Sequence, residues 1–108
     1  MPTFDNNGAL LINSLTVSPT YLSIANKVAD YTATISDQVL TCYGTLTITL
    51  PAAVTATGQR LTICNIGPGL VTVDANGVET ISGSLTVMIT TQWSTLEIVC
   101  TGTGWIIV

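Results

Sequence analysis

The chain has 108 residues, enough for one domain and one core. Hydrophobic residues make up 47% of it and charged residues 7%, against a usual charged share of about 25%, which excludes a disordered tail. A net charge of −4, with Lys27 and Arg60 as the two cations, excludes a nucleic-acid partner and an anionic membrane surface.

Residues 1–29 carry turn and breaker signals at Asn6-Asn7-Gly8, Asn13-Ser14 and Ser18-Pro19. Short apolar groups lie between and after them, above all Leu10, Leu11, Ile12, Leu15 and Val17. Met1-Pro2-Thr3-Phe4-Asp5 has neither the basic nor the apolar region of a signal peptide. Ser18-Pro19 suits the start of a short helix running to about Lys27. The alternative is an extended arm over the whole of 1–29, and that arm is the expectation carried forward.

From Asp30 the hydrophobic period becomes two, as in Thr45-Leu46-Thr47-Ile48-Thr49-Leu50. Thr is stiff at χ1 and suits a strand, and its hydroxyl wets the outward face without charge. The pattern predicts strands near 31–35, 38–43, 45–50, 59–65, 70–74, 78–82, 84–90, 93–100 and 104–108. Pro51 ends one of them because it has no N–H to give a ladder. Asn76-Gly77 predicts a tight type I′ hairpin, and Gly67-Pro68-Gly69, Ser82-Gly83 and Gly102-Thr103-Gly104 predict further turns. No 20–50-residue repeat is visible. The fold expectation is an all-β antiparallel sandwich or jelly-roll-like barrel over 30–108, preceded by the 1–29 arm. Trp105-Ile106-Ile107-Val108 reads as an apolar last strand covered by the core or by a neighbouring chain.

Catalysis is not expected. The sequence contains no His, and its carboxylates are scattered. Asp74 and Glu79 flank a turn and might approach each other, but a solvated hairpin end is the preferred account of them. The cysteines Cys42, Cys64 and Cys100 have no His to activate them or to complete a zinc site, so neither metal nor cofactor is expected. They read as unpaired small apolar residues, with one disulfide plus a free thiol as the alternative. Trp93, with Gln92 beside it and Glu97 further on, is a candidate stacking platform for a sugar, against a core or subunit-contact role.

The order of several pieces resembles a module common in bacteriophage tail-fibre, head-fibre and capsid cement-like proteins. They are Asp30-Tyr31-Thr32-Ala33-Thr34, Leu46-Thr47-Ile48-Thr49-Leu50-Pro51-Ala52-Ala53, Gly58-Gln59-Arg60-Leu61-Thr62-Ile63-Cys64-Asn65, Trp93-Ser94-Thr95-Leu96-Glu97-Ile98-Val99-Cys100 and Gly102-Thr103-Gly104-Trp105. The resemblance covers about 31–108 and departs from the module at Cys64. It implies an all-β, non-enzymatic, trimeric virion part. A module with a short arm resembles a capsid decoration (cement) protein or a short head fibre. The expectation is therefore a homotrimer on the virion surface, assembled in the host cytoplasm. It would bind the major capsid protein or another virion protein through Leu10, Leu11, Ile12, Leu15 and Val17. The alternative expectation is a receptor-binding tail-fibre tip that reads host glycans through Trp93, Gln92 and Glu97.

Overall fold

The computed structural model describes residues 21–108. The arm candidates Leu10, Leu11, Ile12, Leu15 and Val17 lie outside the described residues. Nine strands follow in chain order: β1 (Ile24–Lys27), β2 (Tyr31–Thr32), β3 (Val39–Cys42), β4 (Leu46–Thr49), β5 (Arg60–Asn65), β6 (Val71–Asp74), β7 (Thr86–Ile89), β8 (Thr95–Cys100) and β9 (Trp105–Ile107). One turn of 3-10 helix, Ala53–Thr55, follows the Pro51 that stops the β4 segment. Among the described residues no helix is long and apolar enough to cross a membrane.

The strands form two sheets. Sheet A has the order β9-β8-β5-β3-β1, and sheet B has β2-β4-β6-β7. From β1 to β6 the chain changes sheet at every strand, and each strand returns parallel to the one before it in its own sheet. Ile24 lies beside Val39 and Val39 beside Thr62 in sheet A, while Tyr31 lies beside Ile48 and Leu46 beside Val71 in sheet B. The last three strands then add antiparallel, β7 on β6, β8 on β5 and β9 on β8. The expected all-antiparallel sandwich or jelly roll is thus corrected to two mixed sheets over one core. Period-two alternation fixes which face a side chain takes but not the direction of the neighbouring strand.

Leu40, Leu61, Ile63 and Ile98 from sheet A meet Ile48, Val71 and Val73 from sheet B in that core, all fully buried. Trp105 is buried with them, as expected, but Ile106, Ile107 and Val108 are each about half exposed on the described body. At the β1 end, the Lys27 ammonium sits 3.6 Å from the centroid of the Tyr31 ring and closes the space between the sheets.

Three local expectations change. Ile24–Lys27, assigned to the arm or to a helix, is a strand paired with β3, which makes it part of the body. Residues 78–82 are not a strand. Val78 is exposed, and only Ile81 makes isolated bridges, to Ser84 and Trp105. The tight I′ turn falls at Ser82-Gly83, with φ of 48° and 90°, and not at Asn76-Gly77, where Gly77 alone is positive. Ile81 and Ser84 exchange both backbone hydrogen bonds across that turn. The same loop covers the outer edge of β9: Trp105 N–H donates to Thr80 O, Ser82 N–H to Trp105 O and Ile107 N–H to Ser82 Oγ. A covered edge cannot recruit a stray strand.

Candidate functional site

Trp93 stands at the end of sheet A where the 43–45, 66–69 and 91–94 loops meet. Asn65 organises this end. It is fully buried, and its Nδ2 donates to Gly69 O at 2.9 Å and to Ile89 O at 2.8 Å, while its Oδ1 accepts from Gly67 N–H at 3.2 Å. Its backbone carbonyl accepts from Trp93 N–H. Gln92 Nε2 donates to Ile66 O at 3.2 Å. A Cβ at Gly69 would lie 2.5 Å from the Gly44 carbonyl carbon, so this turn rests directly on the Gly44-Thr45 backbone. Tyr43 packs its ring on Gly67 at the same end and is half exposed.

Trp93 has φ of 71°, and its side chain is 73% exposed. A bulky residue in left-handed backbone is strained, and here the Asn65 carbonyl and the Ser94 N–H to Thr91 O turn hold it there. Trp93 and Gln92 therefore share one loop, since the strand expected from residue 93 begins at Thr95. Glu97 does not join them. It lies on the outer face of sheet A, beside Thr62, with Oε2 2.9 Å from Arg60 Nη1.

The other candidates resolve into structural roles. Glu79 accepts from Ala53 N–H at 3.1 and 3.2 Å, capping the 3-10 turn. Asp37, which the sequence reading missed, accepts from Tyr31 OH and Thr34 N–H, both at 2.8 Å. The signal available was Thr34 three residues before Asp37, a spacing typical of side-chain-bonded turns. An open groove of about 400 Å³ lies between this turn and Thr55–Arg60. Cys42, Cys64 and Cys100 are free. Cys42 and Cys100 are buried, but Cys64 is only partly so. Among the described residues no group of Cys, Asp and Glu is placed to hold a metal ion.

The two outer faces differ in chemistry. Sheet B presents the rows Thr32-Thr49-Asp74-Thr86 and Thr47-Thr72-Met88. Sheet A presents Ile24-Val39-Thr62-Glu97, Asn26-Thr41-Cys64-Thr95 and Arg60-Val99-Ile106. Val108 joins the first of these rows through its N–H to Glu97 O. The sheet B face is mostly threonine with an exposed Met88, while the sheet A face mixes polar residues with exposed Ile24 and Ile106 and half-buried Val39 and Val99.

Comparison of the chain with family models, with curated proteins and with solved structures found no match.

Proposed function

We propose that this chain is a structural part of a bacteriophage virion, a capsid decoration (cement) or short head-fibre protein that binds the shell as a homotrimer. The observation that carries the reading is a two-sheet body whose surface is low in charge and leaves aliphatic side chains such as Ile24, Ile106 and Val108 exposed. Such a surface gains by being covered. The sequence resemblance to fibre and cement modules supplies the virion context. Residues 1–17, with Leu10, Leu11, Ile12, Leu15 and Val17, supply the shell contact, and three arms on one trimer multiply a weak single contact.

The test is quantification of the chain in purified particles of the phage that encodes it. A decoration protein is present in hundreds of copies, and a fibre tip in few. Absence from the particle overturns the reading.

One observation favours a second reading, a receptor-binding tip: Trp93 is held outward in strained backbone beside Gln92. In that reading the indole stacks on a pyranose ring of a host-surface glycan. Quenching or a blue shift of Trp93 fluorescence by host polysaccharide, lost in Trp93→Ala, supports it. An unchanged spectrum removes it.

A further inference from the structure

We propose that Asn76 is a self-modification site: in the folded chain its amide condenses with the backbone nitrogen of Gly77, and the ring so formed opens to aspartate or isoaspartate. The chemistry needs an exposed Asn, a following residue without a side chain, and a backbone N–H that no acceptor holds. Gly77 has nothing to crowd the approach, and even a Cβ built there would meet no atom within 4 Å. Asn76 is exposed and Val78 is 91% exposed, so the turn stands clear of the body. Among the described residues the Asn76 amide has no hydrogen-bond partner, and the Gly77 N–H has no acceptor.

The type of turn leaves that nitrogen free. Glu79 N–H donates to Asn76 O at 3.0 Å, and of the two central residues only Gly77 has positive φ, at 57°. This is the pattern of a II′ turn, whose closing hydrogen bond uses the carbonyl of the first residue and the N–H of the fourth, never the N–H of the second. Both flanks are pinned. Ala75 is buried and its N–H donates to Leu85 O, while the Glu79 carboxylate accepts from Ala53 N–H. The tip can therefore react while the sheets stay closed. Other asparagines of the body lack the combination. Asn65 is fully buried, is bonded through both side-chain atoms and precedes the β-branched Ile66. Asn26 lies in β1, accepts from Thr41 Oγ1 at 3.0 Å and precedes Lys27.

In the first step Gly77 N attacks Asn76 Cγ and loses its proton to a solvent base. The N–Cγ bond forms, the Cγ–Nδ2 bond breaks, and Nδ2 leaves as ammonia. Water then opens the succinimide at either carbonyl, giving aspartate or an isoaspartate whose main chain is longer by a methylene. Water is consumed and ammonia released, and no oxidant, metal or enzyme takes part. Each event places a new carboxylate between Asp74 and Glu79.

The test ages the full chain at pH 6 and pH 8, follows the acidic species by ion exchange and locates it by mass spectrometry of tryptic peptides. Trypsin cuts after Lys27 and Arg60, which puts Asn76 with Asn65 on 61–108 and the other Asn-Gly pair, Asn7-Gly8, on 1–27. We expect conversion at Asn76, faster at pH 8, with Asn65 unchanged and with isoaspartate that an isoaspartyl methyltransferase labels. The native chain should convert within about tenfold of the guanidinium-unfolded chain, because the tip needs no global opening. Asn76→Gln should lose the acidic form of 61–108. Gly77→Ala should slow conversion at least about tenfold, since its Cβ crowds the attacking nitrogen. Should Gly77→Ala not fold, Asn76→Gln and the ratio of native to unfolded rates decide. Conversion of Asn76 confined to the unfolded chain, or an acidic species that maps to 1–27 alone, overturns the proposal.

Discussion

Asn65 and Ile89 join the two sheets: the amide on β5 donates to the β7 carbonyl at 2.8 Å across the core. With its bonds to Gly69 O and Gly67 N–H, that amide satisfies three backbone groups at once. Asn65→Leu keeps the volume and removes every one of these bonds. Leaving buried polar groups unpaired costs about 1–3 kcal/mol each, so we expect a loss on the order of 3 kcal/mol in urea unfolding. A loss below about 1 kcal/mol would show that the loop end is not organised by this residue.

Trp93 gives the opposite sign. Asn accepts left-handed backbone more readily than Trp, whose conformation there costs about 1–2 kcal/mol. The exposed indole contributes little packing. Trp93→Asn is expected to raise the melting temperature by a few degrees. A lower melting temperature would mean that the ring is held by contacts worth more than the strain.

Alkaline pH should destabilise the fold. Burial pushes the Cys42 thiol up from 9.0 to about 11, with the neighbouring Cys64 adding to the shift and Lys27 opposing it. Tyr31 is raised above its ordinary 10.0, first by the hydrogen bond to Asp37, then by burial and by the Asp37 charge. Both groups stay protonated longer in the folded chain than in the unfolded one. Their contribution is therefore complete below pH 9 and is lost as pH rises through 11. Melting followed from pH 7 upward should show a falling midpoint above pH 9. Cys42→Ala and Tyr31→Phe together should flatten the curve.

Removal of residues 1–17 should spare the fold and abolish shell attachment. The first described strand, β1, starts at Ile24, so every described strand survives the truncation. Four buried aliphatic side chains bring roughly 1.5–3 kcal/mol each, against about 1–2 kcal/mol per residue ordered, so one arm binds weakly and three bind usefully. Thermal melting and co-sedimentation with stripped capsids check the two halves. Truncated protein that melts early, or that still decorates the capsid fully, removes the docking role of the arm.

Much of the body was legible because alternation is a local signal. β2 through β9 all fall within segments where it predicts strands. The parallel pairing was not legible, since it depends on which strand lies alongside. The stack also leaves no sequence repeat, because the step from Ile24 to Val39 is much shorter than the step from Val39 to Thr62. β1 escaped because its outward residue is Ile24 and its inward residues are Ala25 and Lys27, which inverts the usual pattern. Of the candidate site, the exposure of Trp93 was not legible, since an aromatic at the head of the predicted 93–100 strand reads more readily as core or subunit contact. Nor was the commitment of Glu97 to Arg60, since the partners meet only through the β5–β8 register. Val99 was masked by its neighbours: between Ile98 and Cys100 it reads as one more core residue, although it points the other way.

Sheet A has a covered margin at β9, where the 80–84 loop takes up the hydrogen-bonding groups, and among the described residues nothing pairs with the far side of β1. Within the described residues the sheet is therefore closed at one margin and unpaired at the other. Lengthening by further parallel rungs has to proceed from β1, upstream along the chain. A designer who wished to build a longer rod from this body would insert new turns of the stack ahead of Ile24 and leave the Trp105 end untouched.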